Sequence, residues 1–417
     1  VNRYVLGASL ALLLVLGVLA SGCIGKEEGP PATTEAPSTT AAPTPAPVTL
    51  IKGRAFTNGH GGHVAVIDFA INPKTKEFTI YSIGRIVAYS PDGKKYGSEK
   101  ASHAVTLSKD GKTLYWAALD GTITEIDLDA VGLSLDKAKV GTLKEWKTYK
   151  AKNVEWTELG GETDNLHCGS SLSPDGKTLY VSSIGSGAVL VYDTTTHKKV
   201  DKIPVDAFGC TAEVTPDGKY LYFANMAAGV VDKVDLATRE IVKKIDTTGH
   251  NGYFLHIGEI APDGRYLWQT AANEFKEGKP YNIPIEGATG IGEGYILIID
   301  TVKDEVVDAI NVPGNPHDVT FTKDGRFAIA QCRHLPENPA GSGLVLIDTT
   351  EKKVLAEHDV CATCHEETGA DVSEFVDPET QVLTNLGLLE HPETGLALAC
   401  GIDIAWEKPE GAKLGCM

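Results

Sequence analysis

The sequence predicts an all-β fold: a β-propeller of six or seven four-stranded blades, its ring closed by pairing strands from the two ends of the chain. The first sign is a recurring phrase. LSKDGKTLYWAALDGTITEIDL (107–128) returns as LSPDGKTLYVSSIGSGAVLVYDTTTHKKV (172–200) and as VTPDGKYLYFANMAAGVVDKVDLATREIV (214–242). It returns again as IAPDGRYLWQTAANEF (260–275), completed by GYILIIDTVKDEVV (294–307), and as FTKDGRFAIAQCRHL (321–335), completed by SGLVLIDTTEKKVL (342–355). Each copy reads as four short antiparallel strands, A to D, with an Asp-Gly turn between A and B and a polar turn between C and D. The second sign is spacing. Turn glycines Gly111, Gly176, Gly218, Gly264 and Gly325 stand 65, 42, 46 and 61 residues apart. The shorter intervals match one blade, and the longer ones imply insertions or a further blade within 128–165. The third sign lies at the ends. HVAVIDFAINPKTKEF (63–78) matches only strands C and D, and LLEHPETGLALACG (388–401) matches only A and B, with His391–Gly395 as the turn. Together they complete a blade and remove the sheet edges.

Before the repeats comes an address and a tether. An apolar run from Val5 to Ala20 follows Arg3 and ends in Ala20-Ser21-Gly22-Cys23. This resembles a lipoprotein signal peptide over residues 1–22, which implies that Cys23 is the lipid anchor and that the chain sits at the cell membrane, facing outside the cytoplasm. An uncleaved membrane anchor is the rival reading. Residues 23–49 are rich in Pro, Thr and Ala and lack apolar periodicity, so they read as an extended stalk. The propeller occupies 50–417.

Composition narrows the function. The 38 basic and 56 acidic residues leave a net charge of −18, which repels phosphate backbones and argues against nucleic-acid binding. The carboxylates read as a solvated face on outer strands and turns, suited to steering a basic redox partner protein. The SPDGK-x-LYV phrase followed by V-x-V-I-D resembles the YVTN/cytochrome-d1-type β-propeller family over roughly residues 60–405. That resemblance implies the fold and leaves the chemistry open, because propellers host many activities.

The register gathers histidines and cysteines. Strand direction alternates, so the start of A, the end of B, the start of C and the end of D share one face. Eight residues before the turn glycines stand His103, Cys168, Cys210, His256 and His317, where the innermost strand begins. His167, His250, Cys332, His334, His60, His63 and Cys400 fall on the same mouth, whereas His197 and His391 fall opposite. Cys168 and Cys210 occupy equivalent positions in consecutive copies and are placed to face each other. Imidazole and thiolate are the donors that copper, zinc and haem iron select, although a wet channel lined by satisfied histidines gives the same pattern.

The sharpest motif lies at the end of the fifth copy. Cys361-Ala362-Thr363-Cys364-His365 has the Cys-x-x-Cys-His spacing of c-type haem attachment, on a loop spanning 361–380. Cys361 and Cys364 would be thioether anchors and His365 the proximal ligand. A zinc or copper site, a redox-active dithiol and a disulfide are the competing readings. The chain has two methionines, so a second imidazole is the expected sixth ligand: His317 first, then His256, His334 and His103. The reading is a membrane-anchored, extracytoplasmic electron-transfer propeller carrying one haem c at a His-rich mouth. One alternative is a copper- or haem-dependent oxidoreductase acting on a small molecule, as in d1-type propellers or the similar His-lined mouth of nitrous-oxide reductase, whose electron-entry copper domain has no counterpart here. The other is a non-enzymatic surface-binding scaffold. The insertion 273–294 joins strands B and C and is expected to overhang the mouth.

Overall fold

The computed structural model describes residues 48–59, 63–89, 93, 102–144, 147–152, 154–156, 164–205, 209–226, 228–272, 275–276, 279–280, 293–314, 316–332, 343–359 and 399–408. They belong to one compact unit, Val48–Met417. Cys23 and the 1–47 segment lie outside the described residues, as do His60, His334, Cys361, Cys364, His365, His391 and Cys416.

Six blades form the ring. In the first, β1 (Ile51–Gly59), β2 (Val64–Ile71) and β3 (Phe78–Tyr89) follow one another. The second holds β4 (Ser102–Leu107), β5 (Thr113–Ala118), β6 (Ile123–Asp127) and β8 (Val154–Trp156). Between β6 and β8, β7 (Thr148–Lys152) joins the first blade, parallel to β3. The third blade is β9 (His167–Leu172), β10 (Thr178–Ser183), β11 (Ala188–Asp193) and β12 (Lys198–Pro204). The fourth is β13 (Glu213–Val214), β14 (Tyr220–Asn225), β15 (Val230–Asp235) and β16 (Glu240–Asp246). In the fifth, β17 (Leu255–Ile260) and β18 (Tyr266–Ala271) precede a two-residue pair, β19 (Phe275–Lys276) and β20 (Lys279–Pro280), then β21 (Glu293–Asp300) and β22 (Glu305–Pro313). The sixth is β23 (Pro316–Phe321), β24 (Phe327–Cys332), β25 (Gly343–Asp348) and β26 (Lys353–Asp359).

Ring closure differs from the expected two-plus-two split. The innermost strand of the first blade is β27 (Ala399–Trp406), paired antiparallel with β1. Among the described residues the C-terminus therefore supplies strand A, eleven residues later than the 388-residue start of the predicted A–B pair, and β1 supplies strand B. IKGRAFTNG (51–59) lacks the Asp-Gly turn of the other B strands because its partner arrives from the far end of the chain. Cys400 thus belongs to strand A and still falls at the mouth.

Among the described residues there is no seventh blade. Residues 128–144 hold a one-turn helix, α1 (Leu128–Val131), capped by Asp127, and then a loop that meets the first blade at Arg54. Arg54, fully buried, binds Asp68 through two nitrogens (2.7 and 3.0 Å) and also donates to the carbonyls of Leu133, Ala138 and Lys139. A buried guanidinium must have its donors met, and this loop meets them. The insertion is a plug for Arg54, and it lengthens the first glycine interval.

The repeated phrase folds for a local reason. In each copy the aspartate of the Asp-Gly turn accepts the amide two residues on: Asp110 from Lys112, Asp175 from Lys177, Asp217 from Lys219, Asp263 from Arg265 and Asp324 from Arg326, at 2.8–3.1 Å. The glycine that follows sits at φ +67° to +72° in all five, a conformation that a Cβ disfavours. Between blades, six hydrophobic clusters fill the six gaps, such as Phe56 and Val66 against Leu114 and Trp116, or Ile67 and Phe69 against Ile329 and Leu346. Each such fully buried side chain contributes about 1.5–3 kcal/mol relative to exposure, so stability is spread round the ring.

Candidate redox and metal site at the propeller mouth

The mouth is built from a repeated irregularity. Along every A–B pair the register slips by one residue near the start of strand A. In the sixth blade Pro316 faces Cys332 and Asp318 faces Gln331, which leaves His317 as the extra residue. The same slip isolates His103 in β4 and Cys400 in β27. In β9 and β17 it falls on the pairs Cys168-Gly169 and His256-Ile257. In the fourth blade Gly209 bridges Asn225 and Glu213 faces Tyr222, so Cys210 lies in the irregular stretch. A β-bulge re-aims the side chain it carries. Six equivalent bulge positions thus hold, in ring order, His103, Cys168, Cys210, His256, His317 and Cys400.

All six of these positions were expected at one mouth, and the structure brings four of them into contact. Cys168 and Cys210 form a disulfide with Cα atoms 4.8 Å apart. Cys210 Sγ lies 3.6 Å from His256 Nδ1, and the imidazole of His256 stacks on that of His317 with centroids 3.6 Å apart. All four side chains are fully buried. Gly169 allows this approach, because a Cβ there would stand 1.9 Å from the Cys210 carbonyl oxygen.

Strand B fixes the bulges by hydrogen bonds. Ser182 Oγ accepts from Gly169 N at 2.8 Å and donates to the Cys210 carbonyl at 2.8 Å, tying the third blade to the fourth. Thr270 Oγ1, six residues after its turn glycine like Ser182, meets the carbonyls of Ile257 (2.7 Å) and His317 (3.2 Å). Gln269 and Thr211 both donate to the His256 carbonyl, at 2.6 and 2.5 Å. The donors are therefore held by backbone contacts that do not depend on what their side chains bind.

The other predicted mouth residues divide. His167 is fully buried at the start of β9, and burial lowers its pKa to about 4, so it is a neutral imidazole at pH 7. His250 is exposed on the link from β16 to β17, and His63 is half-buried before β2. Cys332 is buried in the apolar gap between the fifth and sixth blades rather than open to the mouth, and burial pushes its thiol pKa up. His197 stacks on Trp156 and pairs with Glu125 at 3.2 Å, well away from the mouth group. For His103 the backbone register is the only described feature.

A second feature escaped the sequence reading, which placed the carboxylates on outer faces. A cavity of about 220 Å³ is lined by Glu213, Glu259, Asp318 and Asp403 together with Thr106, Ser171 and Lys109. Burial raises the pKa of all four acids: Glu213 to about 8, Asp403 to about 6, and Glu259 and Asp318 well above the ordinary carboxylate range. Mutual repulsion adds to the burial effect in the first, third and fourth of these. Asp403 accepts from the amides of Leu107 and Ile404 at 2.7 Å each. Glu213 accepts from Ile260 N at 3.3 Å. The signal was present: Glu213 and Glu259 both stand five residues before a turn glycine.

The chain matches no family model and no curated protein. Among solved structures, hydrazine synthase of Kuenenia stuttgartiensis is similar at 24% identity over 46% of this chain, with a TM-score of 0.38. The aligned part is 48% of that chain, so this protein spans about half its length.

Proposed function

We propose that this propeller is an electron-transfer protein, lipid-anchored through Cys23 on the outer side of the cell membrane, which carries one c-type haem at the mouth. One observation carries the reading. Across the sixth blade Pro316 pairs with Cys332, Cys332 with Gly343, and Gly343 with Asp359. The chain therefore leaves β26 at the end of the blade where His317 stands, and Cys361 is two residues further on. Bound there, haem would supply a one-electron iron couple. The thiols of Cys361 and Cys364 would hold it covalently, and the His365 imidazole would bind its iron. The donor chemistry fits this group.

For the second iron ligand, burial favours mouth histidines other than the first two in the sequence order. His317 and His256 are fully buried face to face, so neither is presented at the rim. His250 is exposed and His63 half-buried at the same mouth, so these two imidazoles join the candidates. His334 and His103 stay candidates by position. The acidic surface would steer a basic redox partner.

The test is covalent haem. Protein from a host with haem-attachment machinery, run on a denaturing gel, is expected to stain for haem, and Cys361→Ser/Cys364→Ser to lose the stain. A colourless wild-type band overturns the reading and leaves the small-molecule oxidoreductase and the bare scaffold.

A further inference from the structure

We propose that Cys168, Cys210 and His256 form a redox-gated site for one zinc ion, open when the cysteines are reduced and closed by their disulfide. The three residues come from bulges of three consecutive blades, and their donor atoms lie within 4.8 Å of one another with all three side chains fully buried. A structural disulfide requires no imidazole beside it. Here His256 turns Nδ1 toward Cys210 Sγ at 3.6 Å, with Phe254 packed on its ring edge (centroids 5.0 Å) and His317 on its face. Ser182, Thr211 and Gln269 hold the backbone of the donors by hydrogen bonds that survive reduction. This is a preorganised donor set.

Charge selects the ion. Two thiolates and a neutral imidazole around Zn²⁺ sum to zero, whereas a monovalent ion would leave a net negative charge in a dry site, at a large desolvation cost. Two cysteines and one histidine leave the fourth position of a tetrahedral zinc open. The 220 Å³ cavity lies close by in sequence, since Ala212, Ile257 and Gly258 in its lining stand one or two residues beyond Cys210 and His256.

The redox step balances with a dithiol reductant. The Cys168–Cys210 S–S bond takes up two electrons and two protons from the dithiol, which closes to its own disulfide, leaving two thiols. Zinc then displaces the two thiol protons to solvent. Oxidation by a disulfide reverses the sequence: the S–S bond re-forms and Zn²⁺ is released.

The site does not rest on haem attachment, so it is tested in the Cys361→Ser/Cys364→Ser background. Reduced protein, freed of dithiol without air, is titrated with Zn²⁺ against a chromophoric chelator and, separately, with Co²⁺. One equivalent of zinc and a thiolate-to-cobalt charge-transfer band are expected, both abolished after oxidation to the disulfide. The Cys168→Ser/Cys210→Ser variant should bind one equivalent fewer, and His256→Asn, which removes one of the three ligands, should bind zinc measurably more weakly. The cobalt band needs no substitution in the site, so it stands even where a variant fails to fold. No band in the reduced protein, a band that persists after oxidation, or undiminished zinc in the double variant would overturn the proposal.

Discussion

Two rings of side chains stand three residues apart on the same six strands and differ in kind. The bulge ring holds His103, Cys168, Cys210, His256, His317 and Cys400; the ring below it holds Thr106, Ser171, Glu213, Glu259, Thr320 and Asp403. Among the described side chains, both rings make contacts to the following blade. Cys168 bonds Cys210 and His256 stacks on His317, while Ser171 donates to the Ala212 carbonyl and Asp403 accepts from Leu107 N. Burial acts on the two in opposite senses. It makes His167, beside the upper ring, a neutral imidazole with a lone pair to give, and it makes carboxyls hold their protons. The upper ring is suited to a soft or borderline ion and the lower ring to storing protons.

The largest expected effect breaks the upper ring. Cys168→Ala/Cys210→Ala removes a link across 42 residues of chain, at a cost of about 4 kcal/mol. Thermal unfolding with a chelator present should show the loss, equal at pH 5 and pH 8 because no titrating group is removed. A loss that changes across that range would show the two rings to be coupled.

Much of the upper ring is legible in the sequence, since counting eight back from each turn glycine finds five of its members. Cys400 escapes that count because its blade closes from the far terminus and offers no Asp-Gly turn. The lower ring was hidden by the bulge itself. In a regular strand, residues three apart point to opposite faces, so placing Cys210 and His256 toward the next blade sends Glu213 and Glu259 the other way. One inserted residue restores both to the same side, and a register slip between partner strands leaves no mark in either strand's composition. The repeat count was ambiguous for a similar reason: the length of 128–165 is explained by Arg54, a residue some eighty positions away that needed carbonyl acceptors.

Next in size is Glu213→Gln. The Glu213 carboxyl has an ordinary unfolded pKa near 4.5 and a folded value raised to about 8 by burial. Between those values the folded chain holds more protons than the unfolded one. The stability this contributes is complete below pH 4.5 and lost as pH rises through 8. Glu213 keeps some solvent contact, so the swing is on the order of 2 kcal/mol, less than half of what the full shift would give. Wild type is expected to lose melting temperature from pH 5 to pH 8, and Glu213→Gln to lose less. Parallel curves for the two proteins would remove Glu213 from the proton-storing ring.

Asp403→Asn is the smallest and most selective test, because Asp403 occupies the same ring position as Glu213 under different hydrogen bonding. Two backbone amides at 2.7 Å stabilise its charged form, where Glu213 has one at 3.3 Å, and the balance against burial leaves Asp403 at about 6. Its proton-linked stability is complete below about pH 4 and gone above pH 6, so the window lies below most of that of Glu213. The expected swing is about 1 kcal/mol between pH 4 and pH 6, after the same allowance for solvent contact. Above pH 6 the curves of Asp403→Asn and wild type should run parallel, while those of Glu213→Gln and wild type still converge or diverge up to pH 8. If both substitutions act over the same window, the four carboxyls titrate as one coupled group, and backbone hydrogen bonding does not set them apart.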